Sequence, residues 1–179
     1  MKKFVKIVMV VLFASFLVGL SAKAVSPDEN SDWQKPDFGE ATLVTEFSKV
    51  KSLDKGIIKK ETVSKYSYDY PKNLRGNYKY ITVKTDFSYF DGKKFLANVV
   101  YESDFRFNSE RKMSECLSST CCYNCKDSVT IEPFTRRKNE TLSKGSSVIK
   151  NKFKSGYTTC EDIEVNLKCD SEGNVIIEE

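Results

Sequence analysis

Between Lys79 and Phe107 the chain alternates apolar and polar residues with a period of two, and this stretch constrains the fold more than any other. In the first arm Ile81, Val83, Thr85, Phe87 and Tyr89 share one parity, against Thr82, Lys84, Asp86 and Ser88. In the second arm Phe95, Ala97, Val99, Tyr101, Phe105 and Phe107 stand against Asn98, Glu102, Asp104 and Arg106. A period of two is that of a strand with one face in a core and the other in water. Asp91-Gly92 lies between the arms and invites a two-residue turn. Such a turn, however, would oppose odd residues to even ones and send the two apolar rows to opposite faces. A three-residue loop, Phe90-Asp91-Gly92, restores a common face. It pairs Tyr89 with Lys93, Phe87 with Phe95 and Val83 with Val99, and gives Gly92 the left-handed place of a bulge. Both arms exceed the usual strand length, so a bulge or bend is expected, and a hairpin this long needs a second sheet to cover it.

The first 24 residues read as a signal peptide. Lys2, Lys3 and Lys6 precede the apolar run Ile7–Leu20, and Ala22-Lys23-Ala24 is a small-x-small cleavage signal. The run is shorter than the roughly 20 residues of a membrane span. Cleavage after Ala24 predicts a secreted or extracytoplasmic protein without a stable membrane anchor; an uncleaved anchor is the alternative. The four charged residues of this segment are all Lys, so of the chain's 29 basic and 25 acidic residues the mature part keeps 25 of each. The precursor's net charge of +4 therefore gives no support to nucleic acid or an anionic membrane as partner. Residues 25–39 form a polar leader containing Trp33, and residues 40–179 are of the length of one domain.

Histidine is absent. That removes Ser-His-Asp and Cys-His catalysis and histidine-ligated zinc. No catalytic residues, metal ligands or cofactor are assigned, and the chain is read as a non-enzyme.

Leu43, Val44, Phe47 and Val50 have helical spacing, and an edge strand fits the same residues through Leu43, Thr45 and Phe47. Thr62–Tyr70 alternates with Tyr66, Tyr68 and Tyr70 on one face. That row suits a platform for sugar or protein, or ordinary cross-strand packing. Asn108–Asp127 looks irregular. Ser128–Glu132 is a short strand stopped by Pro133, Ser146–Lys154 and Glu161–Cys169 are strands, and Val175–Ile177 adds a last short one. Residues 136–154 are strongly basic and residues 161–179 strongly acidic. Pairing Ser146–Lys154 with Glu161–Lys168 sets Lys150, Lys152 and Lys154 across from an acidic row. Many short strands without a long helical pattern indicate an all-β antiparallel sandwich or small barrel, with a short N-terminal helix as the one exception.

Six cysteines, Cys116, Cys121, Cys122, Cys125, Cys160 and Cys169, follow the signal peptide, and an even count in that setting predicts disulfides. Cys160 and Cys169 lie nine residues apart on one strand, roughly 30 Å at strand rise, beyond the reach of one disulfide. Each must then pair into the 116–125 cluster. Two other chemistries compete for that cluster. Four thiolates could hold a metal, although adjacent Cys121 and Cys122 suit tetrahedral zinc poorly. Cys122-Tyr123-Asn124-Cys125 could be a redox pair, but its usual βαβ setting is missing. Asn139-Glu140-Thr141 matches the N-glycosylation pattern.

Phe90-Asp91-Gly92 at the end of a strand and the closing turn Cys169-Asp170-Ser171-Glu172-Gly173-Asn174 give Lys79–Asn174 the layout of a loose class of short secreted bacterial proteins. The chain resembles that class, and the resemblance implies an immunoglobulin-like β-sandwich and no functional residue. The functional expectation is a secreted, disulfide-stabilised β-sandwich that binds a protein or glycan, or serves as a surface component. Its candidate contact residues are Tyr123 and Asn124 in the cysteine loop and Tyr66, Tyr68 and Tyr70. A carboxylate hydrolase is a weaker option and requires two acids about 5–9 Å apart in a cleft.

Overall fold

The computed structural model describes residues 23–25, 41–68, 77–141 and 144–178, with side chains of 23–25 and 139–141 excepted. Residues 1–22 of the predicted signal peptide, most of the leader with Trp33, and Tyr70 lie outside the described residues, as does the Asn139 side chain.

Two antiparallel sheets make up the fold. The first contains β1 (Lys23–Val25), β2 (Ala41–Ser52), β3 (Ile57–Tyr68), β4 (Lys79–Asp91), β5 (Lys94–Asn108) and β6 (Met113–Cys125), in the order β1-β6-β5-β4-β3-β2. The second contains β7 (Val129–Thr141), β8 (Lys144–Ser155), β9 (Thr158–Cys169) and β10 (Val175–Glu178), in the order β10-β9-β8-β7. The all-β, sandwich-like expectation is met. From β2 to β6, and again from β7 to β10, neighbours in a sheet are neighbours in the chain. These are two meanders, whereas immunoglobulin sandwiches use Greek-key connections. No helix forms at Leu43–Val50; those residues belong to β2, bound along β3 from Ala41↔Tyr68 to Ser52↔Ile58. The Ala24–Val25 bond, read as the cleavage site, falls inside β1, which pairs with Cys121–Tyr123.

The central hairpin keeps the predicted faces but reaches them differently. Asp91 pairs with Lys94, so the turn has two residues, and Gly92 takes a positive φ of 57° as its first residue. A register shift between Tyr89 and Phe90 then skips Leu96, and the pairs become Tyr89↔Ala97, Phe87↔Val99 and Val83↔Ser103. The three-residue loop is thereby corrected. One extra residue in β5 does the work assigned to the turn, because a bulge shifts parity as effectively as a longer loop.

Two further expectations change. Asn108–Asp127 is not irregular: β6 pairs with β5 from Ala97↔Cys125 to Asn108↔Met113. Its inward residues include Ser114, Cys116, Ser119 and Cys121, small side chains that give no apolar alternation yet are buried. Pro133 does not stop β7, where it lies opposite Asn151. β7 is the edge of its sheet, and an edge position tolerates a residue without an N–H. The β8–β9 register sets Lys150 across from Glu164 and Lys152 across from Asp162 as expected. Lys150 and Glu164 form a 2.6 Å ion pair. Lys154 instead faces Thr159 across a bulge and reaches Glu132 on β7.

The core lies between the sheets. Tyr89 stacks on Phe153 across the interface, with centroids 4.1 Å apart and planes within 3°. Tyr101 donates from its hydroxyl to the Lys150 carbonyl at 2.5 Å. Gly145 marks a close approach of β8 to β6: a Cβ there would lie 2.5 Å from the Cys116 nitrogen, so only glycine fits.

Candidate functional site

The cysteines are free thiols in the structure, and their placement separates them. On β6, residues opposite the inward row of β5 also point inward. Cys125 faces Ala97, Cys121 faces Tyr101 and Cys116 faces Phe105, while Cys122 is exposed on the outer face. Cys122 and Cys125 thus project from opposite faces of one strand, and a Cys-x-x-Cys disulfide cannot close there. Cys160 and Cys169 both lie on β9, as predicted. Cys160 is the residue left over where the β8–β9 register shifts, between Thr159 and Glu161.

Cys116 and Cys169 approach each other around Gly145. Gly145 pairs with Cys169 and sits against the Cys116 backbone. Ser114 donates to the Cys169 carbonyl and accepts from the Gly145 N–H. Burial pushes the Cys116 thiol well above its ordinary range, with nearby Asp104 and Cys169 adding to the shift. Burial likewise raises Cys169 to about 12 and Cys121 to about 11. These three thiols are poor nucleophiles at neutral pH, since the thiolate is the reactive form. Among the described residues no group of three or more Cys, Asp or Glu side chains is arranged to hold a metal.

Tyr123, Asn124 and Cys125 line a recess of about 390 Å³ with Asp127, Val129 and Ile131, at the crossing from β6 to β7. Tyr66 and Tyr68 lie on the outer face of the larger sheet, opposite Thr82 and Tyr80. Lys84 Nζ sits 5.7 Å from the Tyr66 ring centroid, and both tyrosines are half-buried. Tyr66 is thus in contact with a lysine of the neighbouring strand on its sheet face. Tyr68 borders a second recess of about 470 Å³ with Lys65, Phe107 and Gly173.

A buried ionic cluster was not anticipated. Lys59 and Glu61 on β3 and Glu161 on β9 have side chains 2%, 1% and 6% exposed. Lys59 Nζ lies 2.5 Å from Glu161 Oε1 and 3.6 Å from Glu61 Oε2, and Lys49 Nζ approaches Glu61 at 3.5 Å. The Tyr89 hydroxyl donates to Glu161 Oε2 at 2.7 Å and accepts from Asn151 Nδ2 at 2.5 Å. Burial, reinforced by Glu161, pushes the Tyr89 phenol above its usual range. Two carboxylates do converge, but on one lysine inside the core and not in an open cleft. The available signal was the parity of Ile57, Lys59, Glu61 and Val63, which continues the inward row of β3.

β2 differs from every other long strand because all twelve of its residues are exposed. Leu43, Val44, Phe47 and Val50 are 48–68% exposed. Among the described residues β2 is the terminal strand of the larger sheet. The other ends are blunted: β1 has three residues, β10 has four, and β7 carries Pro133. No protein-family model, curated protein or solved structure matches this chain.

Proposed function

We propose that the chain is an exported, non-catalytic β-sandwich acting as a binding and surface module, and that it associates with a second copy through β2. The observation that carries this reading is the full exposure of a twelve-residue edge strand bearing Leu43, Val44, Phe47 and Val50. An open edge of this kind is a template for strand addition. The sequence of β2 favours its own antiparallel copy. Centred on Phe47, that pairing sets Phe47 against Phe47, Val44 against Val50 and Thr45 against Lys49 of the second copy. Parallel pairing in register would instead stack Glu46, Lys49 and Lys51 each on its own like charge, which is unfavourable. A two-fold pairing is also closed, so it stops at a dimer.

Export is supported by the Lys-rich start, the apolar run and Ala22-Lys23-Ala24. In an oxidising compartment the pair best placed to form a disulfide is Cys116–Cys169, two buried residues that flank Gly145, one through its backbone and the other through strand pairing.

Sedimentation velocity over a concentration series tests the association. The expected result is a monomer that becomes a dimer as concentration rises, and a Phe47→Lys variant that stays monomeric with an unchanged circular dichroism spectrum. A wild-type chain that is monomeric throughout, or a dimer indifferent to Phe47→Lys, would overturn it.

A further inference from the structure

We infer that Lys59 and Glu161 become joined by an intramolecular amide (isopeptide) bond once the two sheets pack. The Lys59 amine and the Glu161 carboxyl are held 2.5 Å apart, nitrogen to Oε1, inside the core. The two atoms form an ion pair, and among the described residues Glu161 Oε1 has no hydrogen-bond partner. Two charges buried this deeply carry a desolvation penalty that their attraction offsets only in part. An amide joining Lys59 Nζ to the Glu161 carboxyl carbon is neutral and removes that penalty. Fixed apposition of two reactants replaces the entropy cost of bringing them together.

The surrounding side chains supply what the condensation needs. Glu61 Oε2 lies 3.6 Å from the same nitrogen and has no hydrogen-bond partner of its own, which places a proton carrier beside the amine. The Tyr89 hydroxyl donates to Glu161 Oε2 and polarises the carboxyl toward attack. The Phe87 ring, its centroid 5.1 Å from Lys59 Nζ, helps to keep bulk water out of the site.

In the reaction Glu61 takes a proton from the Lys59 ammonium, and the freed amine attacks the Glu161 carboxyl carbon. An N–C bond forms and one C–O bond breaks. The proton held by Glu61, and a second one lost from nitrogen, pass to the departing oxygen, which leaves as water. Glu61 ends as it began, beside Lys49 at 3.5 Å. No oxidant or other reactant is required. The product ties β3 of one sheet to β9 of the other.

Intact-mass and peptide-mapping measurements on the purified full chain test this. The expected intact mass is one water below that of the unlinked chain, with the fragments carrying Lys59 and Glu161 recovered as one branched peptide. Lys59→Met should restore the unlinked mass. Glu61→Gln should fold, by circular dichroism, but form the link at least tenfold more slowly. Separate fragments at full mass in the folded wild-type chain would overturn the inference. Loss of one ammonia with a Lys59–Asn151 branch would overturn the choice of Glu161. Unchanged linkage in Glu61→Gln would overturn the role of Glu61.

Discussion

The Tyr89 ring lies flat on Phe153, 4.1 Å away and within 3° of parallel, while its hydroxyl reaches past the stack to Glu161. One side chain thereby joins the apolar and ionic parts of the core. Tyr89→Phe keeps the stack but leaves Glu161 Oε2 without its donor and Asn151 Nδ2 without its acceptor. Stranding a buried polar group costs about 1–3 kcal/mol. Chemical denaturation should show a loss of that size with an unchanged slope.

Gly145 on β8 lies tight against β6, since a Cβ would overlap Glu115 and Cys116 backbone atoms at 2.5 Å. Backbone cannot rotate away as a long side chain can. Gly145→Ala should destabilise the fold by about 1–3 kcal/mol, the usual penalty of overpacking. Thermal denaturation of the variant beside wild type checks it, and an unchanged melting temperature would contradict the close packing of β6 on β8.

The thiols should separate by reactivity. Cys122 is exposed, whereas burial raises the Cys116 and Cys169 thiols. In the reduced native protein an alkylating reagent should label Cys122 first and leave Cys116 and Cys169 protected until unfolding. After refolding to equilibrium in a thiol–disulfide buffer, an intramolecular bond should join Cys116 to Cys169. Timed alkylation with peptide mapping reads both.

Asp170 gives the closing turn a pH dependence. Its carboxylate works against partial burial, but hydrogen bonds from the Asn174 side chain and from nearby backbone N–H groups hold its pKa below the usual 3.8. A carboxylate whose folded pKa is depressed adds stability above its unfolded pKa and loses it as pH falls through the folded value. Asp170→Ala should therefore cost about 1 kcal/mol at neutral pH. That difference should shrink below the ordinary carboxylate range. A pH series of denaturation curves for both proteins checks the sign.

How much of this could be read from the sequence differs from strand to strand. The inward row from Ile81 to Tyr89 was legible because Ile81, Val83, Phe87 and Tyr89 share one parity, with only Thr85 between them. Its register was not, since the parity shift sits at Leu96, one apolar residue among Phe95, Leu96 and Ala97. β6 was hidden because its inward residues are Ser and Cys, whose burial follows from neighbouring strands and not from their own hydropathy. Lys59 and Glu61 concealed the first half of β3 for the opposite reason. They occupy core positions with charged side chains, which single-strand patterning assigns to water, and the partners that make those positions habitable include Glu161 on β9 for Lys59 and Lys49 on β2 for Glu61. The tyrosine row was read as a row, but its packing depends on Thr82, Lys84 and Tyr80 of β4, which no local pattern specifies.

The association through β2 is tested most directly by placing a photoreactive amino acid at position 47 and irradiating the folded protein. A two-fold antiparallel pairing centred on Phe47 predicts a covalent dimer cross-linked from one β2 into β2 of the second copy, close to residue 47 itself. No cross-linked dimer at concentrations where the chain associates, or cross-links that map to another strand, would contradict it.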